Sequence, residues 1–149
     1  MKPYARYEKG GMIPFRRIDV FFYGLFMDID LLRSKGAEPL NVRGAFVPGF
    51  SLRIGQRATL VPAPNGRAYG MLMDLTHGEI EQLYSEPSVS VYRPEAVTAE
   101  LADGTRVAAL CFNLPVAPSP QEANPNYAAK LRDLARRLGF PSDYIDGIR

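Results

Sequence analysis

Cysteine and histidine are nearly absent. Cys111 and His77 are single occurrences in 149 residues, which excludes a disulfide framework and a His/Cys zinc site within one chain. Any Ser-His-Asp or Cys-His mechanism would have to run through His77 alone. An excess of one charge sign is also lacking, because Lys plus Arg is 18 and Asp plus Glu is 16, a net +2. Nucleic-acid binding announces itself as a concentrated basic face, and this balance speaks against it. No stretch approaches the ~20 apolar residues of a transmembrane helix. The longest apolar island, residues 20–27, is strand-sized and interrupted by Gly24. The first 17 residues carry scattered charge without the apolar core of a secretory signal, so the expected compartment is the cytoplasm and Cys111 is expected to be a buried thiol. Neither type of glycine-rich phosphate loop occurs. These absences leave carboxylate chemistry, or binding without chemistry.

Hydrophobic residues make up 46% and charged residues 23% of the chain, enough to build a core of ordinary size. The 13 Gly and 13 Pro are spread out and punctuate many short elements. Residues 1–17 read as an N-terminal arm and residues 18–149 as a single domain. Residues 18–23 form a short apolar strand ending at Gly24. Asp28 caps a helix over 29–35, closed by Gly36. Strands over 42–47 and 50–54 flank a predicted Pro48-Gly49 turn. Asn65-Gly66 is predicted to join a hairpin of 58–61 with 68–73, and Asp103-Gly104 one of 96–101 with 105–112. Thr76 and Glu79 form a capping box, with Leu75 and Ile80 at the staple positions of a helix running to about Tyr84. The longest helix starts at Asn124 with Pro125 in its first turn and stops at Gly139. Its apolar positions Tyr127, Leu131, Leu134 and Leu138 line one face. This pattern predicts an α+β fold: a small, mixed but mainly antiparallel β-barrel or strongly curled sheet, flanked by short helices and one long C-terminal helix.

Two places can carry chemistry. At Tyr23-Gly24-Leu25-Phe26-Met27-Asp28 a buried strand turns into a helix, which exposes backbone N–H groups suited to a carboxylate. At Leu83-Tyr84-Ser85-Glu86-Pro87-Ser88-Val89-Ser90-Val91-Tyr92-Arg93-Pro94 a glutamate, Glu86, sits among apolar and small residues, where desolvation would make it a useful proton acceptor. The alternative for Glu86 is a surface residue ending a helix. His77 is expected to be exposed, and Asp28 and Asp30 to serve the helix start.

Taken together and in this order, these stretches resemble the γ-glutamylcyclotransferase-like family. Val20-Phe21-Phe22-Tyr23-Gly24-Leu25-Phe26-Met27 is similar to the strand and Tyr-Gly-Ser/Thr-Leu motif with which members open. Residues 68–83 resemble the middle strand and helix, and Tyr92-Arg93 the pair that opens the next strand. Asn126-Tyr127, Leu138-Gly139-Phe140-Pro141 and Tyr144 resemble the closing helix and its Gly-Leu-Pro-x-x-Tyr ending. Leu25-Phe26 departs from the family's small or hydroxyl residue followed by Leu, and Pro87 stands where many members have glycine. The N-terminal arm lies outside the resemblance.

The resemblance implies a cyclotransferase or lyase that converts a γ-glutamyl compound into 5-oxoproline and a free amine by intramolecular attack. It implies Glu86 as the catalytic general acid/base, and Tyr23, Gly24, Leu25, Phe26, Tyr92 and Tyr127 as substrate-binding residues. The expected partner is a small γ-glutamyl molecule, with no cofactor, metal, nucleic acid or membrane. Two alternatives stand beside it: a cyclotransferase specific for γ-glutamylamines, and a non-catalytic binding member of the same fold.

Overall fold

The structure, a computed structural model, describes residues 5–8, 11–14 and 16–149. In the arm, β1 (Ala5–Glu8) and β2 (Gly11–Pro14) pair antiparallel as a two-stranded ribbon. The other arm residues up to position 15, Gly10 among them, lie outside the described residues. Arg17, assigned to the arm by the sequence reading, opens the first barrel strand.

Five strands close into a barrel in the order β3 (Arg17–Phe22), β5 (Ala58–Thr76), β4 (Leu40–Ile54), β6 (Arg93–Leu101), β7 (Arg106–Asn113). All neighbours run antiparallel except β3 and β7, which meet in parallel at Val20 and Leu110. The expected small, mainly antiparallel barrel is therefore present. Successive residues of a strand face opposite sides, and here both sides are covered. Phe21 and Tyr23 pack inside the barrel with Leu60, Leu72, Val97 and Cys111. Val20 and Phe22 pack outward, under the helices, with Met73, Leu75, Phe112 and Leu131. Burial on both faces is why residues 20–23 are uniformly apolar rather than alternating.

The barrel is narrow, and its interior uses small side chains: Ala45, Ala58, Ala68, Ala99 and Ala109 are all buried there. Gly70 is the extreme case, since a Cβ on it would collide with the Phe22 carbonyl and the Phe21 ring. Alternating small and large residues is how a small barrel fills its taper.

Two predicted turns are absent. Residues 42–47 and 50–54 are halves of one 15-residue strand, β4. Pro48-Gly49 marks a bulge in that strand, with Gly49 at φ +84°. Likewise residues 58–61 and 68–73 belong to one 19-residue strand, β5. Pro48 pairs with Arg67 and Phe50 with Pro62, so residues 63–66 stand opposite Gly49 alone. Asn65-Gly66 therefore sits in an irregular stretch of β5, not at a hairpin tip. The chain reverses instead after Ile54, where the Gly55 N–H donates to the Arg57 carbonyl at 3.0 Å. Long-range pairing with β4 overrides the local turn preference of Asn-Gly. The second hairpin is as expected: Gly104 has φ +86°, and Leu101 and Thr105 bond across it at 2.8 Å.

The helices follow their caps. Asp28 accepts from the N–H groups of Asp30 and Leu31 at the start of α1 (Ile29–Ser34). The capping box of Thr76 and Glu79 is complete at α2 (His77–Leu83), and His77 is exposed. Glu79 also accepts from the Glu38 N–H at 2.6 Å, which ties α2 to the segment entering β4. Asn124 caps α3 (Pro125–Arg137), and Leu131 and Leu134 are buried against the barrel. A further short helix, α4 (Ser142–Asp146), docks Tyr144 against Tyr69 of β5 with ring centroids 5.0 Å apart. No helix among the described residues is long and apolar enough to cross a membrane.

Cys111 is fully buried, and burial, followed by the charge of Glu95, pushes its thiol from 9.0 up to about 12. Its folded state therefore holds a proton that the unfolded chain releases above pH 9. The stability from that difference is complete below pH 9 and is lost as the pH rises toward 12. Urea unfolding should show a lower midpoint at pH 11 than at pH 8, and Cys111→Ala should narrow that gap. A thiol reagent at pH 8 should modify the unfolded chain only.

Candidate active site

At the end of β3 the backbone turns sharply. Gly24 is extended, with φ −112° and ψ −152°, and the next three residues, Leu25–Met27, form a single 3-10 turn that leads into α1. The Met27 N–H closes this turn on the Gly24 carbonyl at 3.0 Å. Glycine is required here by a neighbour rather than by its torsions: a Cβ would lie 2.5 Å from the Tyr127 hydroxyl of α3. That hydroxyl accepts from the Leu25 N–H at 3.4 Å. The close approach of strand end and helix thus depends on a missing side chain on one and a polar tip on the other.

Above this turn lies a cavity of about 400 Å³, within the size range of small-molecule sites. Every predicted binding residue lines it: Tyr23, Gly24, Leu25, Phe26, Tyr92 and Tyr127. The sequence reading missed Lys35, Gln56, Arg57, Ala58 and Phe112, which also line it, and held Tyr84 and Ser88 only as neighbours of Glu86 in the stretch 83–94. Nothing in their local sequence marks them; tertiary contacts bring them together. Aromatic rings form the wall. Tyr84 stacks on Phe112 with centroids 4.0 Å apart, and Phe26 meets the edge of Tyr84 at 5.7 Å.

The polar groups of the wall are largely committed. The Tyr23 hydroxyl donates to the Phe112 carbonyl at 2.7 Å and the Tyr92 hydroxyl to the Ala58 carbonyl at 2.5 Å. Asn113 and Thr59 complete the seam, accepting from the N–H groups of Leu60 and Leu114 at 3.1 and 2.9 Å. These side chains link the start of β5 to the end of β7, which share no ladder. Burial, reinforced by neighbouring ionisable groups, raises Tyr23, Tyr84 and Tyr92 above the usual phenol range. Burial also raises Tyr127, against the opposing effect of the Leu25 N–H. All four stay neutral at ordinary pH, so they can orient a ligand but do not supply a base.

Glu86 stands differently from its expected setting. It is absent from the cavity lining, and its side chain is 43% exposed. The expectation of a desolvated carboxylate among apolar groups is therefore corrected. The loop after α2 carries it outward, where both its oxygens accept from Lys35 Nζ, at 2.8 and 3.0 Å. Lys35 caps the C-terminal end of α1 and is itself a lining residue. The Glu86 loop is held by the Val89 N–H on the Glu86 carbonyl at 3.0 Å and by Arg57 Nε on the Ser88 carbonyl at 2.9 Å. Among the described residues the lining contains two cations, Lys35 and Arg57, and no Asp, Glu or His. Among the described residues Glu86 is the acid that touches a charged lining side chain. Among the described residues no cluster of three His, Cys, Asp or Glu side chains is placed to hold a metal.

A family model described as gamma-glutamyl cyclotransferase, AIG2-like, matches residues 20–130. No curated protein matches the chain. Several solved structures share the fold. One, a gamma-glutamyl cyclotransferase, has a TM-score of 0.71 at 17% identity, over 90% of this chain and 89% of its own. An uncharacterized protein from Homo sapiens has a TM-score of 0.68 at 20% identity, over 89% and 88%. YkqA from Bacillus subtilis reaches 0.71 at 21% identity, over 88% of this chain and 52% of its own.

The contact between Gly24 and Tyr127 yields a paired prediction. Gly24→Ala should destabilise the fold by about 1–3 kcal/mol through overpacking. Tyr127→Phe removes the hydroxyl that a Cβ would strike. In the double variant the alanine should therefore cost less than it does alone. Chemical denaturation of the four proteins measures this, and strictly additive values would show that the hydroxyl is not the obstacle.

Proposed function

The chain belongs to the gamma-glutamyl cyclotransferase, AIG2-like family, and on that premise we propose that it converts a γ-glutamyl compound into 5-oxoproline and a free amine. The observation that carries this reading is the placement of one acid, Glu86, beside a cavity whose lining has none among the described residues. The substrate's α-ammonium gives up a proton to Glu86, and the resulting amine attacks the γ-carbonyl carbon to form the new C–N bond. A second proton leaves the same nitrogen as it becomes a lactam. Both protons end on the departing nitrogen as the old C–N bond breaks, so Glu86 finishes as it began. Attack within one molecule gains most of its rate from being held folded. The aromatic cavity and the turn at residues 23–27 supply that confinement.

The same aromatic wall favours one version of the reaction. Tyr84, Phe112 and Phe26 offer apolar faces to a leaving group, which suits a γ-glutamylamine with an uncharged substituent better than a γ-glutamyl amino acid bearing a second carboxylate.

The test is 5-oxoproline release from a small library of γ-glutamyl amines and γ-glutamyl amino acids. Wild type is expected to turn over the amines with apolar substituents fastest. Glu86→Gln should keep the fold and lose at least ~10²-fold in kcat, the scale of a general acid–base contribution. Full activity in that variant would remove Glu86 from the mechanism. Silence across the library from a folded protein, with thermal stabilisation by the same compounds, would make this a binding member of the family.

A further inference from the structure

Lys35 occupies an unusual position. It lines the cavity, and its ammonium holds both oxygens of Glu86. The pair is only partly shielded, with side chains 25% and 43% exposed. The pair can therefore separate without leaving an ion buried and alone. The other lining cation, Arg57, is exposed and already engaged by Ser88 in holding the loop. Any ligand that reaches Glu86 from the cavity must compete with Lys35 for the same two oxygens.

Resting on the reaction proposed above, we propose that Lys35 is the receptor for the α-carboxylate of the γ-glutamyl group, and that Glu86 becomes available to the substrate by exchange of ion pairs. A free α-amino-acid head carries an ammonium and a carboxylate on one carbon. It is the charge complement of the Lys35–Glu86 pair. As it binds, its carboxylate takes Lys35 and its ammonium takes Glu86, so one ion pair opens and two close. The exchange moves the Glu86 carboxylate from its ion pair with Lys35 to the substrate's ammonium. It makes Lys35 a specificity-determining residue for the zwitterionic head, while the rings set the leaving group.

The kinetic test compares two substrates with one leaving group, γ-glutamylanilide and its decarboxylated counterpart 4-amino-N-phenylbutanamide, read by aniline release. Wild type should prefer the first by about tenfold or more in kcat/KM, the effect of one hydrogen bond to a charged group. Lys35→Met should abolish the preference, chiefly through KM, and Lys35→Arg should restore part of it. A second arm needs no turnover: calorimetric binding of 5-oxoproline against 2-pyrrolidinone, which lacks the carboxylate. Wild type should prefer 5-oxoproline, Lys35→Met should not, and Glu86→Gln, which frees Lys35, should bind 5-oxoproline more tightly than wild type. If wild type releases aniline from neither substrate, the proposed reaction fails and the calorimetric preference alone decides the role of Lys35. Wild-type preference surviving in Lys35→Met, loss of it in Arg57→Met instead, or no binding preference in wild type would each overturn the proposal.

Discussion

The parallel meeting of β3 and β7 at Val20 and Leu110 is the junction on which the rest of the structure depends. The other pairings follow the chain or fold back antiparallel, whereas this one joins segments about ninety residues apart and removes the sheet's open edges. An open edge would expose unpaired N–H and C=O groups. Closure converts β3 into an element buried on both faces, with Phe21 and Tyr23 inside and Val20 and Phe22 under the helices. It also sets the end of β3 beside the end of β7, which is how Tyr23 comes to donate to the Phe112 carbonyl.

The cavity is a consequence of where that closure stops. The start of β5 and the end of β7 share no ladder, and side chains bridge them, Asn113 to Leu60 and Thr59 to Leu114, while Tyr92, just ahead of β6, bonds to Ala58. Backbone polar groups left over at a barrel rim need partners, and here tyrosine hydroxyls and an amide supply them. The polar atoms at this rim are therefore largely spent on structure, and the space between them is walled by rings. Charge enters from the edges, through Lys35 at the end of α1 and Arg57 after the β4–β5 reversal. The result is an apolar chamber with a cationic rim and one acid held just outside it.

Much of this was legible in the residues. The caps at Asp28, Thr76 and Asn124, and the Asp103-Gly104 turn, act within a few positions of the chain, so their signals do not depend on the rest of the fold. Asn65-Gly66 and Pro48-Gly49 failed as turns for the opposite reason. Each lies inside a long strand whose partner continues on the other side, and a continuous ladder of pairs outweighs one dipeptide's preference. The cavity-lining turn at Tyr23–Phe26 was legible because a strand end, a glycine and a capped helix follow one another directly. The setting of Glu86 was not, because its partner Lys35 lies 51 positions away and nothing near either residue marks the pairing.

The sequence by itself determined the elements that local chemistry can specify: which segments are capped helices, which are apolar strands, and the absence of a second histidine or cysteine that narrows the chemistry to carboxylates. It also carried the ordered motifs by which the family is known. Only the tertiary structure decided that the strands close, that Gly24 must be bare because a tyrosine hydroxyl comes to rest against it, and that Glu86 is held at the rim by Lys35. The reason is physical. A cap or a tight turn is satisfied within a handful of bonds, but an ion pair or a close approach between distant segments exists only once the barrel has brought them together.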